Sequence, residues 1–192
     1  MADDIFSRIL PDCYLYISHL DEGAQYWQLP GYPETVTDSM ESSFQANTAL
    51  GRSAPVYTYG HSGPRTVNIT LRFHRDMFEE MPTNVVPKAG DDKAESFIHA
   101  LQAIAVPKYN LSNKAIEPPI VAVRLGREVF IKGVVTSNIS VTFGKPILVN
   151  EKYATMEVSF TISEVDPYDS TTVFQNGSFR GLTATLRHGM HF

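Results

Sequence analysis

A single cysteine, Cys13, stands in 192 residues. It excludes a disulfide within the chain and leaves no cysteine-based metal site, which fits assembly in a reducing compartment. Charge is also scarce: 19% of residues are charged, against about a quarter in an average globular chain. So few charges point to outer surfaces that partners cover. The balance is acidic, with 16 Lys and Arg against 21 Asp and Glu and a net charge of −5. That argues against wrapping of duplex nucleic acid by phosphate neutralisation, although DNA can pass such a surface without sticking. No apolar run approaches the roughly 18 residues of a membrane span, so no membrane insertion is expected. The N-terminal MADDIFSRIL carries acids where a secretory signal needs bases. Internal repeats, low-complexity stretches and glycine-rich phosphate loops are all missing. The length predicts one domain over residues 1–192, with an N-terminal arm at 1–11 and a C-terminal tail at 170–192.

What the chain does have is period-two alternation, the mark of strands buried on one face. Val67, Ile69, Leu71 and Phe73 alternate with Thr66, Asn68, Thr70, Arg72 and His74. Ala154, Met156, Val158, Phe160 and Ile162 alternate with Thr155, Glu157, Ser159, Thr161 and Ser163. A helix could not gather either apolar set on one stripe. Between Val129 and Phe143 the parity holds throughout, predicting either one long bent strand or two strands meeting near Ser137–Asn138. Gly133 inside that span marks a bulge or a close backbone approach. Shorter strands are predicted at Tyr14–Ser18, Val36–Phe44, Pro55–Tyr59 and Ile120–Leu125, with a tight hairpin turn at Gly126-Arg127.

One helix is predicted, over about Asp92–Val106. Asp92 with Glu95 three residues on is an Asp version of the capping box. Phe97, Leu101, Ile104 and Ala105 then recur at helical spacing, and Pro107 stops the run. Phe97 and Leu101 are expected to face a sheet. Arg75–Gly90, with Pro82 and Pro87, and Lys108–Pro119 read as loops. The predicted class is mainly β (α+β), a β-barrel or sandwich with one flanking α-helix.

Catalytic motifs are not legible. Gly60-His61-Ser62-Gly63 resembles a nucleophile elbow only superficially, because Pro64 stands where the second glycine belongs. It reads as a turn. A hydrolase reading would rest on Ser62, His61 and a distant acid. His188 and His191 lack a ligand-type companion at metal spacing. His99 reads as a helix-boundary residue, His74 as the polar face of its strand and Cys13 as a small core residue. Asp91 and Asp92 are explained by the helix N-terminus, Glu79 and Glu80 by solvent, and Asp166 and Asp169 by a strand exit. No catalytic residue, cofactor or metal is assigned, and no enzyme activity is expected. Nine tyrosines, Tyr57 and Tyr59 among them, suit either surfaces that are wet before assembly and dry after it or core positions with a solvated hydroxyl.

Two stretches carry a resemblance. The first is Gly51-Arg52-Ser53-Ala54-Pro55-Val56-Tyr57-Thr58-Tyr59-Gly60, followed by Pro64-Arg65-Thr66 and the strand Val67 to Phe73. The second is Pro118-Pro119-Ile120-Val121-Ala122-Val123-Arg124-Leu125-Gly126, then Lys132-Gly133-Val134-Val135-Thr136-Ser137 and the strand ending Phe160-Thr161-Ile162-Ser163-Glu164-Val165. Their order around a single helix resembles the tail-tube-like domain family of contractile phage baseplates and contractile injection systems. The resemblance spans about Val36 to Tyr168. Hub adaptors of that family often add a LysM-like module, for which no room remains here, and the Arg75–Gly90 loop is longer than the pattern expects.

The resemblance implies a ring subunit, six to a ring, that initiates or extends the inner tube. Its implied partners are copies of itself, the tail tube protein, baseplate hub and wedge proteins and the tape-measure protein, with DNA only as passing cargo. Its implied location is the virion tail, assembled in the bacterial host cytoplasm. Arg52, Tyr57, Tyr59, Arg65, Arg72 and Arg124 are the interface candidates, with Arg52 and Arg65 either pairing with carboxylates of an adjacent copy or standing as exposed surface charge. Gly126 and Gly133 are candidates for special backbone geometry. The alternative is a peripheral hub or wedge connector outside the tube, docking through Met1–Leu10 and Thr171–Phe192.

Overall fold

The structure, a computed structural model, describes residues 13–20, 23–48, 50–110, 115–126, 128–165 and 170. The expected N-terminal arm, the tail beyond Ser170, the acids Asp166 and Asp169, and the histidines His188 and His191 lie outside the described residues. In chain order the first elements are β1 (Cys13–Leu20), β2 (Gly23–Gln28), β3 (Thr35–Ser39), β4 (Ser42–Asn47), β5 (Val56–Ser62) and β6 (Thr66–His74). Then come α1 (Arg75–Glu79), α2 (Lys93–Ile104), β7 (Lys108–Asn110), β8 (Ala115–Glu117), β9 (Val121–Leu125), β10 (Val129–Val135), β11 (Ser140–Ile147) and β12 (Tyr153–Glu164). The fold is mainly β, as its alternation predicts.

The two longest alternating runs pair with each other. β6 lies antiparallel to β12 from Thr66 opposite Ser163 to His74 opposite Thr155. Val67, Ile69, Leu71 and Phe73 thereby face Ile162, Phe160, Val158 and Met156, and all eight side chains are buried. Directly opposed apolar pairs of this kind contribute roughly 0.2–1 kcal/mol each. The full sheet has the order β2-β1-β9-β10-β12-β6-β3, with β11 added to β12.

β12 serves two strands along one border. Its C-terminal end pairs β10 and its N-terminal part pairs β11. Val135 lies opposite Ile162 and Ser140 opposite Ser159, so five steps on one side match three on the other. The excess is a bulge, bridged where Thr136 N–H donates to Thr161 O at 3.0 Å and Thr161 N–H donates to Ser137 Oγ at 2.7 Å. The span from Val129 to Phe143 is therefore the second of the two predicted alternatives, two strands meeting around Ser137–Asn138. Just before the bulge, Gly133 touches backbone, and a Cβ there would sit 1.9 Å from Ser163 O. Gly126, at φ +65°, makes the turn between β9 and β10.

α2 begins as expected. Asp92 accepts from Glu95 N–H at 2.8 Å, and the Glu95 carboxylate accepts from Asp92 N–H at 3.3 Å. Phe97 and Leu101 are fully buried. The Phe97 ring lies 5.5 Å from Trp27 on β2, 5.9 Å from Phe73 on β6 and 4.6 Å from Phe78 on α1. β2 and β6 are five strands apart in the sheet, about 24 Å if it were flat. Both reach one ring because the sheet curls around the helix.

The curl does not close, which corrects the expected barrel or sandwich: this is an open sheet. Residues following β6 fill the gap instead. Gln28 N–H donates to Pro82 O at 3.2 Å, Thr83 Oγ1 to Tyr26 O at 2.8 Å, and Asn84 Nδ2 to Ala24 O at 2.8 Å. These contacts occupy the outer border of β2, while β6 is bonded to β3. The Arg75–Gly90 loop also contains a second helix, α1, where one helix was expected. His74 Nδ1 caps it by accepting from Asp76 N–H at 3.3 Å, and Phe78 anchors it. Lys108–Pro119, expected as loop, contains the small hairpin β7–β8.

Candidate functional site

Among the described residues, the most exposed regular structure is a two-stranded arm. β3 runs on into β4, and β5 runs on into β6, so β4 and β5 continue the β3–β6 pair beyond the sheet. Phe44 lies opposite Tyr59 and Ala46 opposite Tyr57, which puts these four side chains on one face. Gln45, Asn47 and Thr58 share the other, where Asn47 Nδ2 donates to Thr58 Oγ1 at 3.1 Å. The aromatic face is open to solvent: Phe44 is 55% exposed, Tyr57 66% and Tyr59 56%. Phe44 and Tyr59 pack edge-on at 5.5 Å. Arg52 is exposed at the tip, the one formally charged side chain between Ser42 and Ser62.

Gly60-His61-Ser62 belongs to this arm rather than to a turn, a correction. Ser43 lies opposite His61 and Phe44 opposite Tyr59, so Gly60 is a bulged residue within the ladder. Ser62 Oγ and Tyr59 OH share a 2.7 Å hydrogen bond.

At the arm's root, Arg65 is only 2% exposed. Its Nε donates to Asp38 Oδ1 at 2.8 Å and its Nη2 to Asp38 Oδ2 at 2.6 Å, a two-pronged pair. Nη1 donates to Phe130 O at 2.9 Å and lies 3.8 Å from Glu164 Oε2. Arg65 therefore pairs inside its own chain, not at the surface where an adjacent copy's carboxylate was expected. Arg124 is also buried, and its Nε donates to Gly126 O at 3.1 Å. Arg72 is exposed on β6 opposite Glu157. The arm thus gathers Arg52, Tyr57 and Tyr59, while Arg65 roots it and Arg72 and Arg124 lie elsewhere. Phe44 escaped the sequence reading. Its signal is the alternation of Phe44 and Ala46 with Gln45 and Asn47, too short and too polar to stand out.

A second constellation lies at the far end of β12 from the arm. A cleft of ≈ 420 Å³ is lined there by Arg75, Glu95, His99, Phe143 and Lys152, among others. Buried Arg75 pairs with Asp92, reaches Glu95 Oε1 at 3.5 Å, and donates Nε to Tyr153 O at 3.0 Å. Lys152 Nζ lies 2.6 Å from Glu95 Oε2 and 3.4 Å from Asp92 Oδ2. These pairs clamp both helices to the start of β12. Among the described residues no cluster of three or more His, Cys, Asp or Glu side chains could hold a metal ion.

Burial raises the Asp92 carboxyl pKa. The Glu95 N–H and the Arg75 guanidinium, with Lys152 beyond, outweigh it and hold the group below its ordinary value. A carboxylate lowered in the folded state stabilises above its unfolded pKa, about 3.9, and loses that contribution as pH falls toward the folded value. Asp92→Asn therefore melts below wild type at neutral pH, and the gap narrows as pH drops through 4 and below. Thermal melts from pH 7 to 2 check this; a gap constant with pH refutes it.

Comparison with protein-family models and with the curated proteins finds no match.

Proposed function

We propose that this chain is a structural ring subunit of the tail tube or baseplate of a contractile phage or injection system. The observation that carries the reading is the arm. An isolated two-stranded hairpin is marginal in water, yet this one presents three aromatic rings on a single uncovered face. An exposed patch of that kind marks a protein contact. The second support is the wing β11-β12-β6-β3: among the described residues, no strand pairs the outer side of β11 or of β3. Unpaired strand borders invite pairing with another chain. Two unlike borders on one subunit make a head-to-tail contact, which closes into a ring when the rotation per copy permits.

In this reading the chain pairs with copies of itself, stacks on the tail tube protein and sits among hub and wedge proteins, with the tape-measure protein and then DNA passing through. A net charge of −5 suits a lumen to which phosphate does not adhere. The purified chain is a monomer or weak oligomer, and rings form with its partners. The test substitutes Tyr57→Ser and Tyr59→Ser together. Both residues are exposed, so the melting midpoint of the monomer stays close to wild type, while electron microscopy of tails carrying the variant shows rings missing. Tails that assemble normally, or wild-type tails whose central tube region lacks the chain, overturn the proposal.

A further inference from the structure

We infer that Arg65 and Asp38 form the lock that aims the β4–β5 arm; the inference rests on the assembly reading only for what the arm is aimed at. The junction they guard is weak by itself. The β3–β6 ladder ends with Ser39 opposite Thr66, and the β4–β5 ladder begins with Ser42 opposite Ser62. Between them Met40 and Glu41 face Gly63, Pro64 and Arg65, two residues against three. Gly63 N–H donates to Glu41 O at 2.9 Å across the gap, and Pro64 has no N–H to give. An extra residue on one strand bends and twists a ladder without fixing the angle.

Arg65 supplies what the ladder lacks. It sits in the gap itself and reaches three other strands: β3 through Asp38, β10 through Phe130 O, and β12 through Glu164. The return contact is backbone, Glu164 N–H to Arg65 O at 2.9 Å. A guanidinium gripped in two-pronged fashion fixes direction as well as distance, because its donors lie in one plane. Arg65 is buried but the Asp38 side chain is 33% exposed, so solvent screens the pair and it adds little stability. Its return here is geometric: the strand entering the arm and the strand leaving it are held at one angle to the sheet.

The test measures the arm in the monomer. Nitroxide labels are placed on Thr58→Cys in the arm and Glu157→Cys on β12, and their separation is read by pulsed electron resonance. Cys13 stays unlabelled, because it is buried and burial raises its thiol pKa to about 12. Wild type gives one narrow distance distribution. Asp38→Ala broadens it at least twofold, and Asp38→Glu restores part of the narrowing, a rescue that a merely structural role does not predict. A folded Asp38→Ala chain with the wild-type width overturns the inference. If Asp38→Ala does not fold, Asp38→Asn is measured by the same criterion, with the same consequence. Ring formation is scored separately by electron microscopy. A broadened arm that still builds rings leaves the lock standing and removes the arm from assembly; an unchanged arm removes the lock, whatever the rings do.

Discussion

Gly133→Ala destabilises the monomer by about 3 kcal/mol, the upper end of ordinary overpacking. The added methyl group meets backbone, not a side chain: Ser163 O at 1.9 Å and Ser163 C at 2.6 Å. Backbone held in a ladder cannot rotate away, so β10 and β12 must separate where Gly133 faces Glu164. Gly144 provides the contrast. Its added Cβ would lie 2.4 Å from Thr155 Oγ1, but that atom ends a side chain that can turn aside. Urea titrations of both variants should show a large fall in midpoint for Gly133→Ala and a small one for Gly144→Ala. Equal midpoints would mean that the β10–β12 contact gives more freely than its geometry implies.

Phe97→Ala costs about 4 kcal/mol, as expected for emptying a fully buried aromatic site. That is a large share of the 5–15 kcal/mol by which domains are typically stable. The loss reaches past one cavity because the Phe97 ring meets Trp27, Phe73 and Phe78, side chains from β2, from β6 five strands away and from α1. The single tryptophan makes the change visible: Trp27 is buried in wild type, so its emission shifts to the red as water enters. A loss below about 1 kcal/mol, far under the usual range, with unshifted emission would show that the sheet holds its curl without the ring.

The parts legible in the sequence are those where one physical rule acts over many residues. β6 and β12 alternate for their whole length, and their apolar faces became the centre of the core. Asp92 and Glu95 set the start of α2, and the spacing of Phe97 and Leu101 set its inward face. Closure was not legible. Whether β2 pairs another strand depends on Thr83 and Asn84 reaching its border, and isolated polar contacts leave no period. α1 is a five-residue helix capped by a histidine, too short for helical spacing to show. Gly60-His61-Ser62 has the composition of a turn, and only the count of partners across the ladder reveals it as a bulged strand. Arg65 misled for another reason. Arginine is mostly found exposed, and the carboxylate that grips Arg65 lies 27 residues away, beyond any local pattern.

The contacts that cover β2 have a consequence for how the chain can join others. At that side Gln28 N–H, Tyr26 O and Ala24 O are already bonded to Pro82, Thr83 and Asn84, so a newcomer finds the border occupied. The wing at the other side offers two. In a polymer chemist's terms, the eight-stranded sheet, as described, has a valence of two. Bivalent units link into lines or circles; a third open border would allow branching, and with it a gel.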